Sequence, residues 1–210
     1  MMDDVPETTD DVRETSPWGS IALVSYIPDP LGSFLNQLRH SLTGEHTPDA
    51  HVTILPRRPL TLPVELASEQ VLKLLTAFRS FPVELSSVRR FRQTDVLYVD
   101  VNEGSARLYA LHEALSMGDL AYNEEFVFRP HLTLGCPAAS SDMEALRQFA
   151  QAAWDSASLA RRFLLQEVVC LWLRPDGPQS EWRRLWSHNL KTRQTVNKPP
   201  AAFATTNQTY

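Results

Sequence analysis

A four-residue pattern of histidine, apolar residue, threonine and apolar residue occurs twice in the chain, at 51–54 (His-Val-Thr-Ile) and at 131–134 (His-Leu-Thr-Leu). Side chains alternate along a β-strand, so the histidine and threonine of each copy share one face and the apolar residues share the other. Each copy therefore predicts a short strand with one packed face and one face that presents an imidazole and a hydroxyl.

Similar predicted elements surround both copies. Apolar spacing and turn residues predict the order helix, motif strand, helix, two strands in each half, with an extra strand in front of the first. The first half contains a strand at 20–27, a helix at 31–42 ending near Gly44, the strand at 51–55 stopped by Pro56, a helix through 71–78, and strands at 83–88 and 96–101. The second contains a helix at 105–115 capped by Ser105, the strand at 126–135, a helix opened by a capping box at 141–144, a long strand at 163–173 and a strand at 181–186. The halves, about 18–102 and 103–190, predict one two-lobed domain.

Charge is concentrated at the N-terminus. Residues 1–17 contain six carboxylates and one arginine, which accounts for the whole net charge of -5. This acidic stretch and the polar residues 191–210 lack hydrophobic periodicity, so we expect a disordered N-terminal tail and a flexible C-terminal tail. The remainder is formally neutral and lacks the basic surface of a protein that binds duplex DNA, whereas a small nucleotide is compatible with it.

Composition and motifs disfavour several classes of protein. No apolar run approaches the roughly 18 residues of a membrane span, and the N-terminus lacks the cationic and apolar regions of a secretory signal. Two cysteines favour a reducing compartment. His112-Glu113 lacks the second histidine of a zinc-binding HExxH motif, and no glycine-rich phosphate loop is present. We therefore expect a cytoplasmic monomer with no membrane partner, metal or cofactor.

The paired histidines and threonines supply the groups that phosphodiester cleavage needs. Imidazole, with a pKa of about 6.5, gives or takes a proton near neutrality, and a threonine hydroxyl donates to a phosphoryl oxygen. Cleavage requires both a base and an acid, which two such motifs facing one cleft would provide. One copy alone is more typical of a strand with a polar solvent face, because short motifs match by chance. Two copies at equivalent places favour a shared site.

The two motifs resemble those of the two-histidine (2H) phosphoesterase superfamily, which includes 2′-5′ RNA ligase-like proteins and cyclic nucleotide phosphodiesterases. The string at 128–135, Phe-Arg-Pro-His-Leu-Thr-Leu-Gly, is especially similar to the second motif of the 2′-5′ RNA ligase-like branch. The resemblance implies an α+β, bilobal fold, in which a duplicated pseudo-twofold unit forms two antiparallel sheets around a central cleft with helices outside. It also implies His51 and His131 as acid and base, Thr53 and Thr133 on the phosphate, and no metal.

The sequence departs from the family pattern just after each motif. Many relatives have an arginine there, as in HLTLxR, whereas this chain has Pro56 and Cys136. The source of additional positive charge at the site is therefore open.

Three arginines near the motifs are candidates for substrate binding. Arg129 lies two residues before His131, so strand alternation would put it on the same face, where it could clamp a phosphate; a surface arginine is the equal alternative. Arg57 and Arg58 follow the first motif, although solvated loop charges fit them better. The remaining candidates have plainer explanations. A solvated turn explains the possible RNA-binding residues Arg89, Arg90 and Arg92 better, and core packing better explains the possible base-stacking residues Tyr98, Tyr122 and Trp172. Cys136 is expected to be structural and to face away from His131.

These features predict a metal-independent phosphodiesterase for 2′,3′-cyclic phosphates or 2′,5′-linked RNA and nucleotides. Its partner would be a small nucleotide or an RNA end. Two alternatives remain: a non-catalytic module that binds an RNA end or nucleotide, and a 2′-5′ RNA ligase that runs the same proton transfers in reverse.

Overall fold

The computed structural model describes residues 16–44, 48–137, 142–175 and 181–197. Its helices are α1 (Leu31–Thr43), α2 (Val64–Leu75), α3 (Ser105–Leu115) and α4 (Met143–Ser156), with a short 3-10 helix at Gly118–Leu120. Its strands are β1 (Ser20–Tyr26), β2 (His51–Pro59), β3 (Phe81–Arg90), β4 (Leu97–Val101), β5 (His131–Gly135), β6 (Arg162–Leu165), β7 (Glu167–Leu173), β8 (Trp182–Asn189) and β9 (Thr195–Asn197). None of the helices within these ranges is long and apolar enough to cross a bilayer.

The strands form one antiparallel sheet in the order β6-β3-β4-β5-β2-β1-β7-β8-β9. The α+β class is as predicted, but the expected two sheets are not found in the described residues. The two motif strands, β5 and β2, are neighbours at the centre and join the two sides of the sheet at one residue pair, Val52 opposite Leu132. Strands from the two halves of the sequence are also interleaved, since β6 pairs with β3 and β7 pairs with β1. The sides of the sheet therefore do not coincide with the sequence halves.

Several strand boundaries differ from the prediction, and three of them affect the arrangement of the sheet. β2 continues through Pro56 to Pro59, because its pairing with β1 is irregular between Leu23 and Ile21, and a bulge tolerates a residue without an N–H. β5 begins only at His131. The strand expected at 163–173 breaks at Gln166, so that β6 and β7 lie on opposite sides of the sheet.

The helix ends follow local signals with three corrections. α2, predicted through 71–78, spans Val64–Leu75. α1 ends at Gly44 as predicted, where a φ of 68° lets its N–H bond to the carbonyl of His40. α3 has Gly104, at φ 87°, as its N-cap, and Ser105 is its first residue. α4 is capped by Asp142, whose side chain accepts from the backbone of the first turn; Ser141 of the predicted capping box lies outside the described residues.

The apolar residues of both motifs face the helices. Val52, Ile54, Leu132 and Leu134 are each 0% exposed and belong to one core with apolar residues of all four helices. By strand alternation, the histidine and threonine of each motif lie on the opposite face of the sheet. The polar groups are thus presented away from the helical layer.

The ordered chain extends beyond its predicted end. β9 lies inside the expected C-terminal tail, pairing antiparallel with β8 from Thr195 to Asn197. Residues 1–15 and 198–210, which hold most of both predicted tails, lie outside the described residues.

Candidate active site

The pairing of β2 with β5 brings the two motifs together. Val52 lies opposite Leu132 in an antiparallel pair. Extending this register by one residue each way sets His51 beside Thr133 and Thr53 beside His131, with Cβ atoms about 5 Å apart across the strands. All four side chains are half-buried. The two histidines thus lie diagonally on one face, each next to the threonine of the other motif.

Both histidines are oriented by the same type of hydrogen bond. Nδ1 of His51 lies 2.7 Å from the carbonyl oxygen of Asp49, and Nδ1 of His131 lies 2.6 Å from that of Arg129. A carbonyl oxygen only accepts, so Nδ1 carries the proton in each ring. The neutral tautomer therefore leaves Nε2 with the lone pair, and Nε2 is the ring atom available for proton transfer.

Burial lowers the pKa of both histidines below 6.5. The carbonyl hydrogen bond opposes this effect in each ring. Arg39 and then His131 add to the lowering for His51, and Arg129 adds to it for His131. In the free protein near neutral pH, both rings are therefore predominantly uncharged.

Helix α1 holds the chain segment in front of His51. The Asn36 side chain accepts from the backbone N–H of Ala50 at 2.7 Å and donates to Asp49 Oδ1 at 3.1 Å. Buried Arg39 donates to the carbonyl of Pro48. The carbonyl that orients His51 is therefore fixed by side chains on a helix rather than by the loop alone.

Aromatic rings of the β3–β4 hairpin pack against His131. Tyr98, which pairs with Thr133, stacks on Phe91 with ring centroids 4.0 Å apart. His131 meets Phe91 and Tyr98 edge-on, at centroid distances of 5.0 Å and 5.4 Å. Tyr98 was a candidate for stacking a base. Because it is buried, it forms a wall of the site and does not offer an open ring face.

Arg129 lies beside His131, although not by strand alternation, since β5 starts after it. Asp100 pairs with His131 across β4 and β5, and its carboxylate holds Nη2 of Arg129 at 2.9 Å. Arg89 reaches the same carboxylate at 3.1 Å. The three side chains form an ion cluster with one net positive charge at the β4 end of the motif face.

Arg57 and Arg58 have different surroundings. The two irregularities in the pairing of β2 with β1 cancel, so Arg58 lies on the same face as Val52 and Ile54. It is 1% exposed in the helical layer and pairs with Glu124 and with the carbonyl of Leu120. The structure therefore places Arg58, a candidate for substrate binding, in the core and away from the motif face. Arg57 lies near the far end of β2, 3.3 Å from Ser20 Oγ.

Replacing Arg58 with methionine should destabilise the fold by about 3 kcal/mol, because it leaves the Glu124 carboxylate without its buried partner. Urea denaturation measures this loss. The matched variant Arg57→Met should cost about 0.5 kcal/mol or less. Adding Glu124→Gln to Arg58→Met should recover part of the stability, whereas a purely additive double mutant would contradict the coupling.

Three of the remaining candidates have structural contacts, and Arg92 is exposed. Arg90 pairs with Asp95, Trp172 Nε1 donates to the carbonyl of Trp18 at 3.1 Å, and Tyr122 lies 5.8 Å from the guanidinium of Arg58. Cys136 follows the end of β5 and is exposed, so the alternation used to orient it does not apply.

Sequence patterns missed Asn36, Asp100 and Tyr26. Tyr26 lies directly opposite His51 in β1, with its ring edge-on at 6.0 Å. A possible signal for Asp100 is a carboxylate at the motif-facing position of an otherwise apolar strand, two residues from Tyr98. Asn36 gave no comparable signal, because its role depends on the packing of α1 against the 48–50 segment.

Residues 27–177 match the 2′-5′ RNA ligase superfamily, a span that includes both motifs. The chain belongs to this superfamily. It is also similar to a protein of Geobacillus kaustophilus described provisionally as a phosphoesterase, with 29% identity over 122 residues that cover 54% of this chain and 66% of that protein.

Solved structures share the fold. E. coli LigT in its apo form superposes with a TM-score of 0.54 at 13% identity, covering 82% of this chain and 98% of LigT. Kluyveromyces marxianus Usb1 gives a TM-score of 0.54 at 13% identity, with coverages of 81% and 98%. Thermus thermophilus TT0787 gives 0.53 at 14% identity, with coverages of 82% and 98%. The family match and the shared fold together agree with the resemblance of the two motifs to the two-histidine phosphoesterase superfamily.

Proposed function

We propose that the protein is a metal-independent phosphodiesterase acting on 2′,3′-cyclic phosphates or 2′,5′-linked RNA and nucleotides. The observation that carries this proposal is the Val52–Leu132 register, which groups two histidines and two threonines on one face of the sheet. Each histidine is held through Nδ1 and so has Nε2 for proton transfer. A site that only binds nucleotides does not require two titratable groups, so the arrangement favours turnover.

In the proposed reaction, Nε2 of one histidine takes a proton from water while the water oxygen attacks phosphorus. The bond from phosphorus to the sugar oxygen breaks, and the other histidine, protonated at Nε2, gives its proton to that oxygen. Hydroxyls of Thr53 and Thr133 donate to the phosphoryl oxygens on which charge accumulates. Positive charge close to the phosphate comes from Arg129, which Asp100 holds beside His131.

A nucleotide substrate is supported by a structural relative. E. coli LigT has been solved in complex with 3′-AMP, and that structure matches this chain with a TM-score of 0.53. The formally neutral body of the chain is compatible with a ligand of this size. RNA end joining would use the same groups in reverse, so formation of longer labelled RNA in the same assay would favour the ligase alternative.

The kcat/KM of the enzyme should follow a bell-shaped pH profile with its maximum below pH 6.5. The base must be neutral and the acid protonated, so the maximum lies midway between two pKa values that burial has lowered from 6.5. A bound phosphate anion favours the protonated rings, so the kcat profile should be shifted to higher pH. Initial rates over a pH series measure both; a kcat/KM maximum above pH 6.5 would contradict the assignment.

Activity should be unchanged by EDTA. Within the described residues, no group of three or more His, Cys, Asp or Glu side chains is placed to hold a metal ion. The test is a panel of 2′,3′-cyclic nucleotides and 2′,5′-linked oligomers assayed with and without the chelator. Turnover that is lost with EDTA and restored by a divalent metal would refute the metal-independent mechanism, and binding without turnover of any substrate would favour the non-catalytic alternative.

A further inference from the structure

A cavity of about 400 Å³ opens beside His51, at the junction of β1, the start of α1 and the segment before β2. The residues that matter here are Tyr26, Asp29, Ser33, Asn36 and Asp49, and we call the space they line the α1 cavity. Its volume is within the range of small-ligand sites, about 300–1,000 Å³. It is large enough for a planar base.

Two residues that line the α1 cavity also contact His51. Asp49 lines it, and the carbonyl of the same residue holds Nδ1 of His51. Tyr26 also lines it, and the Tyr26 ring lies edge-on to the His51 ring at 6.0 Å. A nucleotide whose phosphate lies between the histidines can therefore extend its base across Tyr26 into this cavity.

The lining of the α1 cavity is rich in hydrogen-bond acceptors. Asp29 Oδ1 accepts from the backbone N–H and the hydroxyl of Ser33, and Asp49 Oδ1 accepts from Asn36. These bonds orient both carboxylates and use one oxygen of each. A carboxylate has about four lone-pair positions on two oxygens, so both residues retain capacity to accept from a ligand. The Ser33 hydrogen bonds also lower the pKa of Asp29, which keeps it ionised.

The two ends of the motif face thus differ in chemistry. At the β4 end, Arg89 and Arg129 flank Asp100 and leave a net positive charge. At the α1 end, the charged residues that line the cavity are two carboxylates, and buried Arg39 behind them donates to the carbonyl of Pro48. This lining disfavours a phosphate and favours a neutral group with N–H donors. The phosphates of a longer substrate are expected toward the arginines, and a base is expected toward the carboxylates.

We propose that the α1 cavity is a nucleobase subsite that selects bases by their N–H donors, with guanine preferred and uracil disfavoured. Guanine presents N1–H and N2–H side by side, which matches the two oxygens of Asp49, because Ser33 already occupies both lone pairs of Asp29 Oδ1. Uracil presents carbonyl oxygens on both sides of a single N–H, which a carboxylate repels. This inference rests on the proposed function, since it assigns the base of the substrate of that same site.

The test compares kcat/KM for the four nucleoside 2′,3′-cyclic monophosphates. We expect the guanosine substrate to exceed the uridine substrate by roughly tenfold or more, the discrimination of one bidentate contact. The preference should lie mainly in KM. Equal values for the four bases, or a preference for uridine, would overturn the subsite.

Two variants identify the carboxylates responsible. Asp49→Asn and Asp29→Asn replace an acceptor pair by an amide with one acceptor and one donor, which suits uracil better. At least one variant should lower the ratio of kcat/KM for guanosine to that for uridine several-fold. The value for uridine should rise while the value for guanosine falls. General destabilisation would not raise either value. The matched control is Glu167→Gln, a carboxylate near Tyr26 that is not among the residues lining this cavity, and it should leave the ratio unchanged. A ratio unchanged in both aspartate variants would refute the proposal.

Failure of the proposed function gives a different result. If the protein turns over none of the four substrates, calorimetric binding of guanosine and uridine 3′-monophosphates tests the cavity alone. Tighter guanosine binding that weakens in the aspartate variants would support the subsite without the enzyme. Equal affinities would overturn it, whereas turnover without base preference would overturn the subsite and leave the proposed function intact.

Discussion

His51→Ala and His131→Ala are each expected to lower kcat by about 10²- to 10⁴-fold, the usual contribution of a positioned acid or base. Each ring is held through Nδ1 by a backbone carbonyl, which leaves its Nε2 for proton transfer. Alanine removes that imidazole and leaves only one of the two proton-transfer groups. Both side chains are half-buried on the face away from the helical core, and their loss should leave the fold intact. Steady-state rates and thermal unfolding measure the two effects.

The double variant and a third histidine provide controls. Acid and base act in one transition state, so His51→Ala/His131→Ala should be little worse than the poorer single variant. His40, exposed on α1, is the matched control, and His40→Ala should keep the parental rate. Parental turnover in both single variants, with intact folds, would rule out paired-histidine catalysis.

The local part of the site could be predicted because strand alternation is a property of the backbone. Each motif predicts which of its side chains are packed and which are presented, and the 0% exposure of Val52 and Leu132 agrees with this. Adjacency of the two motifs is a different matter. It depends on β2 and β5 being neighbours, a long-range pairing of one residue pair that no local pattern specifies.

Two expectations failed for different reasons. Arg58 was associated with the site by proximity in sequence, although it shares the alternation of Val52 and Ile54 and so lies in the core, where it pairs with Glu124. The apolar run at 163–173 was predicted as one strand. Its local pattern does not show that the chain leaves β3 at Gln166 and then pairs with β1 on the other side of the sheet. Asn36 and Asp100 orient the motif segments from other elements, so only the tertiary structure shows their contacts.

Thr53→Val and Thr133→Val are expected to lower kcat by about 10²-fold each, the effect of removing one donor to the developing charge. Valine keeps the β-branched shape that suits a strand, so the variants isolate the hydroxyl. Thr53→Ser and Thr133→Ser restore the donor and should recover most of the rate, which a packing role would not allow. Because Thr53 lies beside His131 and Thr133 beside His51, each valine variant should also change the pH profile mainly through the histidine next to it. A valine variant with the parental kcat would show that its hydroxyl does not contact the phosphate in the transition state, and the phosphoryl oxygens would then depend on Arg129, held by Asp100 on the same face.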